Sequence, residues 1–225
     1  MTSNLVTKKK KKNRSFVFRD RDHAGAVLAD MIRADIDPDN SLLLAIPAGG
    51  VPVAMAMSRE LGIAFDIAVV SKITLPWNTE AGYGAVAFDG TTRLNEPMLA
   101  RLNLTDTQVR DGIKKTKEKV NRRTRELRGQ QPMPQFTDKT AVLADDGLAS
   151  GFTMFCAIEA VKNAGAENIF VAVPTAHQQA AEAAGQKAAR VYCANIRSGF
   201  SFAVAEAYEN WYDITEPELA EMLGK

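Results

Sequence analysis

A chain of 225 residues with 46% hydrophobic and 24% charged residues can bury a full α/β core, with room for an insertion or a small cap. Its formal net charge of +1 excludes an argument for nucleic-acid or membrane affinity from bulk charge. Two cysteines, Cys156 and Cys193, stand in apolar runs without CxxC or Cys/His spacing, which leaves no case for a disulfide framework or a zinc site. Both read as small buried hydrophobes. His23 and His177 stand alone near helix starts and read as surface or capping residues.

Residues 1–14 carry the lysine block Lys8–Lys12 and no periodicity, so a disordered, self-repelling tail is expected. No signal-peptide apolar region and no stretch of about 18 apolar residues occurs, and a cytoplasmic location is the expectation. From Asp22 to Ala34 the apolar residues Ala24, Val27, Leu28, Met31 and Ile32 fall at helical spacing. Ser41 to Ile46 is a continuous apolar run, the pattern of a strand buried on both faces. Pro47-Ala48-Gly49-Gly50 then leads into a small-residue helix, Val51 to Leu61, and a strand at Asp66 to Val70. Residues 71–84, with Pro76, Asn78, Gly82 and Gly84, read as a long loop, and Ala85 to Leu94 as a hairpin turning at Asp89-Gly90.

Thr105 and Gln108 form a capping box for a long charged helix reaching about Leu127. Residues 110–128 hold nine Lys or Arg against Asp111, Glu118 and Glu126, around a narrow stripe of Ile113, Val120 and Leu127. A solvated helix packed by one edge is the plain reading; steering of an anionic substrate and a homodimer contact are the alternatives. The last third alternates: strand Thr140–Ala144, helix Thr153–Asn163, strand Ile169–Val173, a helix capped by Thr175 with Gln178, and strand Val191–Ala194. Thr215 to Glu218 caps a short final helix. Strands alternating with helices of about ten residues imply an α/β, doubly wound, mostly parallel sheet.

In such sheets ligands sit beyond the carboxyl ends of the strands. The most specific segment there runs Ala141-Val142-Leu143-Ala144-Asp145-Asp146-Gly147-Leu148-Ala149-Ser150-Gly151-Phe152-Thr153. A strand delivers two carboxylates, and a small-residue loop with the Ser150 and Thr153 hydroxyls opens a helix. Amides at that helix start make a phosphate cradle. Carboxylates beside it need a neutral or cationic partner, such as sugar hydroxyls or Mg²⁺. An acidic turn followed by a serine cap is the bland alternative. Pro47 to Gly50 is a weaker signal, glycines that let an anion approach a helix start. Lys72, the one cation of the 71–84 segment, is a third.

The Asp145–Thr153 segment resembles the binding motif for 5-phosphoribosyl-1-pyrophosphate (PRPP) of type I phosphoribosyltransferases. Similarity to a bacterial and archaeal subfamily extends from about Phe16 to Pro217, including Phe18-Arg19-Asp20-Arg21 and Pro76-Trp77-Asn78-Thr79-Glu80. Arg21 and Glu80 receive no role from it. The resemblance implies that Asp145 and Asp146 hold the ribose hydroxyls, that Gly147 belongs to the PRPP-binding set, and that Ala149–Thr153, with Gly151 and Phe152 between the hydroxyls, wrap the 5′-phosphate. It implies that Ala48, Gly49, Gly50 and Lys72 meet the pyrophosphate, with Asp145, Asp146 and Lys72 as the catalytic set. Mg²⁺ would arrive with PRPP and could touch Asp145 and Asp146.

Three departures stand out: Ala149 replaces a common threonine, and Ala48 and Ser71 stand where arginine is frequent. The resemblance further implies a flexible loop and a small C-terminal hood at about 195–215, whose Phe200, Phe202, Trp211 and Tyr212 could stack a nitrogenous acceptor. The expected activity is phosphoribosyl transfer to that acceptor with release of pyrophosphate. A non-catalytic sensor of PRPP or nucleotide on the same fold is the alternative. Neither nucleic acid nor membrane is expected as a partner. No GxGxxG or GxxxxGK[ST] follows a strand, which disfavours a dinucleotide or P-loop enzyme.

Overall fold

The computed structural model describes residues 4–199 and 201–225, with the backbone alone at Thr79 and Glu80. Glu80's side chain and Phe200 therefore lie outside the described residues. Two sheets organise the chain. The larger has six parallel strands in the order β1 (Leu5–Thr7), β9 (Arg190–Arg197), β8 (Asn168–His177), β7 (Thr140–Ala144), β2 (Ser41–Ala45) and β3 (Phe65–Ile67). The smaller is an antiparallel set, β4 (Val70–Leu75), β5 (Asn78–Ala87) and β6 (Thr92–Leu94).

The apolar runs form central strands because each face of the large sheet is covered. Successive side chains point to opposite faces. Leu43, Ala45, Val142 and Ala144 pack with α1 (Arg21–Ile32), α2 (Gly50–Leu61) and part of α4 (Asp106–Arg128). Leu44, Ala141, Leu143 and Val171 pack with α5 (Phe152–Asn163) and α6 (Gln178–Gly185). Both sets are fully buried, so truncating one such leucine to alanine removes about 2–5 kcal/mol. The doubly wound parallel sheet expected from the sequence is present.

The 71–84 segment is strand, not loop. Its burial alternates, with Ser71, Ile73 and Leu75 inside and Lys72 outside, which is the period of a half-covered antiparallel strand. Pro76 and Trp77 form the turn, and register shifts at Ile73/Thr74 and Thr74/Leu75 mark a bulge. The hairpin at Asp89-Gly90 forms as read, Gly84 pairing with Leu94. The strand read as Asp66–Val70 divides instead: β3 ends at Ile67 and the chain leaves for the second sheet at Val70.

Residues 4–14 are not a disordered tail. Leu5–Thr7 pairs with Val191–Cys193 and satisfies the free edge of β9, with the Val191 amide donating to Asn4 O at 2.8 Å. Lys9–Lys11 is a 3-10 turn, and Lys11 Nζ donates to Val17 O at 2.9 Å above the Phe18 ring. Thr175 does not cap α6. β8 continues through it to His177, and its hydroxyl donates to buried Asn195 at 2.7 Å. Asn195 itself belongs to β9, so the hood begins beyond Arg197 and contains a 3-10 turn at Val204–Ala207. The capping boxes at Thr105/Gln108 and Thr215/Glu218 are both formed, the latter opening α7 (Glu216–Met222). A short helix, α3 (Glu96–Leu99), lies between the hairpin and α4.

Candidate functional site

β7 ends at Ala144, and the next two residues place their carboxylates at the carboxyl edge of the sheet. The loop that follows is held from three sides. The Asp146 amide donates to Asp145 Oδ1 at 2.8 Å, and Tyr208 Oη of the hood donates to Asp146 O at 2.6 Å. Leu148 exchanges backbone bonds of 2.9 Å with the extension of β8, its amide to Thr175 O and its carbonyl from the His177 amide. Gly151 then turns the chain into α5 at φ +83°, a left-handed conformation that any side chain would strain. The first amides of α5 have no intrahelical acceptor.

The opposite wall is the β2–α2 connection. The Pro47–Ala48 peptide is cis. A Cβ on Gly49 would lie 1.8 Å from Asp146 Oδ2, so glycine alone lets this backbone pass the carboxylate. A cleft of about 320 Å³ results, lined by Ile46–Gly49, Val70–Lys72, Thr74, Lys119, Arg123, Asp145, Asp146 and Thr153. A second hollow of about 220 Å³ is lined by Lys72, Asp145–Gly151, Thr153, Met154 and Val204. The two share Lys72, Asp145, Asp146 and Thr153, which makes the aspartates the divide between two compartments.

Of the residues singled out from sequence, Ala48, Gly49, Lys72, Asp145, Asp146, Gly147, Ala149, Ser150, Gly151 and Thr153 meet at this cleft. Gly50 does not line it; it starts α2 beneath the Ala144 carbonyl. Phe152 does not line it either and packs on Phe155, with ring centroids 6.2 Å apart. The hood aromatics are largely engaged elsewhere. Tyr208 is buried against Phe18 and Phe202 meets the His177 edge, while Tyr212 is exposed.

Three residues escaped the sequence reading. Arg21, which receives no role from the sequence, is 6% exposed. Its Nε donates to Asp146 Oδ2 at 2.9 Å and its Nη1 to Tyr212 O at 2.9 Å, with the guanidinium 3.9 Å from the Trp211 ring centroid. Lys119 and Arg123 of α4 enter the cleft from the side. The available signal was Arg123's position, three residues past Val120 and four before Leu127, inside the buried stripe of a charged helix.

Burial raises the Asp145 carboxyl well above its ordinary value, and the charge of Asp146 adds to it. Burial also raises Asp146, opposed by Arg21. Lys119 is pushed down by burial and then by Arg123. A pair of acids, one of them tied to Arg21, faces cations at a sheet edge, the disposition of a site built for a charged ligand.

The phosphoribosyl transferase domain model matches residues 89–209, more than half of the chain, and includes the whole β7–α5 loop. The chain belongs to the phosphoribosyl transferase domain family. The Mycobacterium tuberculosis protein Rv0571c, provisionally named a phosphoribosyl transferase, is 30% identical over 211 residues, which are 93% of this chain and 47% of that protein. The chain thus spans about half the length of the curated relatives it matches. The crystal structure of TT1426 from Thermus thermophilus superposes with a TM-score of 0.70 at 29% identity, covering 92% of this chain and 97% of that one. AQ2163 from Aquifex aeolicus shares the fold at a TM-score of 0.50 and 10% identity, covering 80% of this chain and 76% of that one. In this phosphoribosyl transferase domain no described helix is long and apolar enough to cross a membrane.

Proposed function

We propose that the chain binds PRPP with Mg²⁺ and transfers its phosphoribosyl group to a nitrogenous acceptor, releasing pyrophosphate. One observation carries this reading: two carboxylates at the end of β7 divide a cleft whose one side is a helix-start amide cradle and whose other side is cationic. A sugar bearing a monoester at one end and a diphosphate at the other has that polarity.

In this reading the amides and hydroxyls of Ala149–Thr153 take the 5′-phosphate, and Asp145 and Asp146 accept hydrogen bonds from the ribose hydroxyls. Arg21 fixes Asp146 so that its remaining oxygen faces the sugar. As the bond to pyrophosphate lengthens, positive charge grows on the ribose, and the two half-buried acids sit where that charge develops. Lys72 stands where both hollows meet, beside the departing group. Asp145 and Asp146 offer hard oxygen donors that suit Mg²⁺ but are too few alone, and among the described residues no cluster of three or more metal-ligating side chains occurs. The fit is to an ion whose other ligands come from the substrate, where it would neutralise diphosphate charge.

Incubation with PRPP, Mg²⁺ and a panel of nitrogenous bases, assayed for pyrophosphate release, tests the proposal. Release with at least one base is the expected result. Tight PRPP binding without release for any base would instead establish a sensor.

A further inference from the structure

The β2–α2 connection brings Ile46–Gly49 and so no charged side chain to the larger cleft, and β4 contributes neutral Ser71 beside Lys72. A diphosphate needs more positive charge than Lys72 supplies. Two further cations line that end, Lys119 and Arg123, four residues apart and so on one face of α4. Arg123 is only 8% exposed, its Nε has no hydrogen-bond partner, and its Nη2 meets Glu216 Oε1 of α7 at 3.0 Å. Ser71 Oγ, on the same wall, is also buried without a partner. Burying a guanidinium with an unmet donor is unfavourable. A lone exposed carboxylate is a weak counter-ion for it.

We infer that Lys119 and Arg123, together with Lys72, form the diphosphate subsite of this cleft, and that Glu216 is the carboxylate a bound diphosphate displaces from Arg123. The long helix thereby supplies the charge that positions 48 and 71 lack. A diphosphate presents several acceptor oxygens, enough for Arg123 Nε, the Lys119 ammonium and Ser71 Oγ together, whereas Glu216 reaches one guanidinium nitrogen. The rigidity of α4, 23 residues with its amino end closed by the Thr105/Gln108 box and its Thr116, Val120 and Leu127 edge buried, holds the pair in place. Release of Glu216 would free the start of α7, so that diphosphate binding and the packing of the carboxyl-terminal helix are linked.

The inference rests on the PRPP reading, and calorimetry with three ligands separates their failures. Wild type, Lys119→Gln, Arg123→Gln and Glu216→Gln are titrated with PRPP, ribose 5-phosphate and inorganic pyrophosphate, each with Mg²⁺. Lys119→Gln and Arg123→Gln are expected to weaken PRPP and pyrophosphate by roughly tenfold or more while leaving ribose 5-phosphate within about twofold. Glu216→Gln is expected to tighten pyrophosphate severalfold. Should the buried Arg123→Gln variant fail to fold, the exposed Lys119 and Glu216 positions still decide. If wild type binds PRPP and ribose 5-phosphate but these variants bind pyrophosphate unchanged, the α4 assignment is wrong and the PRPP reading stands. If wild type binds neither sugar phosphate, the PRPP reading fails and takes the assignment with it.

Discussion

The two ends of the cleft are built on opposite plans. The cradle end is local: Asp145 to Thr153 is one uninterrupted segment, and strand, carboxylates, loop and helix start follow in the order in which a ligand would meet them. The cationic end is assembled from four remote places, the β2–α2 connection, the β4 strand, one turn of α4 and, through Arg123, the first turn of α7. Local sites depend on backbone geometry that the chain carries wherever the segment folds. Assembled sites depend on the tertiary fit of elements that could each move. The first kind should fail through the backbone and the second through side-chain charge.

Arg21 joins the two plans, since it holds Asp146 from α1 and the hood from below Trp211. Replacing it leaves a buried carboxylate without its cation. Arg21→Gln is expected to destabilise the fold by about 3 kcal/mol, read by urea denaturation, and Arg21→Lys by less because the charge remains. A loss below about 1 kcal/mol for Arg21→Gln would mean that Asp146 is solvated well enough to stand alone. Gly49→Ala probes the wall between the two ends. Gly49 has φ −62°, so alanine is permitted there and the penalty is purely the collision with Asp146. The expected loss is about 1–3 kcal/mol, with PRPP affinity falling more than tenfold as the carboxylate is pushed aside. Unchanged affinity would show that Asp146 can yield without harm to the ligand.

What could be read from the chain follows the same division. Ser41–Ala45 and Thr140–Ala144 were legible because a strand covered on both faces is apolar at nearly every position, and Asp145-Asp146 because the loop and helix start that complete the motif follow within ten residues. The Arg21–Asp146 pair spans 125 positions, and nothing in Phe18-Arg19-Asp20-Arg21 distinguishes the buried arginine from the exposed one. Lys119 and Arg123 were hidden among nine basic residues, where the stripe position of Arg123 was the one clue. The β4–β5 pair reads as a loop because Pro76, Gly82 and Gly84 carry turn chemistry, while the alternation of Ser71, Ile73 and Leu75 is the stronger signal. β1 is three residues long and exists only because β9 offers an edge, information that no local pattern contains.

The assembled end also predicts an effect at a distance. Thr105→Ala removes the hydroxyl that accepts the Gln108 amide and so opens the amino end of α4. The expected cost is about 1 kcal/mol. Because Lys119 and Arg123 lie more than three turns further along, pyrophosphate affinity should hold. A drop in affinity equal to the drop for Lys119→Gln would mean that the whole helix, and not one turn of it, sets the subsite.

The smallest expected effect has the opposite sign. Asp145 lies half-buried beside Asp146, and its folded pKa is raised above the ordinary 3.8, first by desolvation and then by that neighbour. The folded protein therefore holds this proton more tightly than the unfolded chain. Wild-type stability from this group is complete below about 3.8 and is lost as pH rises through the folded value. Asparagine keeps the acceptor for the Asp146 amide and never ionises. Asp145→Asn should then gain on the order of 0.5 kcal/mol at neutral pH, and the gain should vanish as pH falls toward 3.8, while sugar-phosphate affinity drops. Thermal melts of both proteins across that range read the difference. A variant less stable than wild type at neutral pH would mean that the ionised carboxylate is stabilised in the folded state, and the local end of the cleft would then be held by charge as the assembled end is.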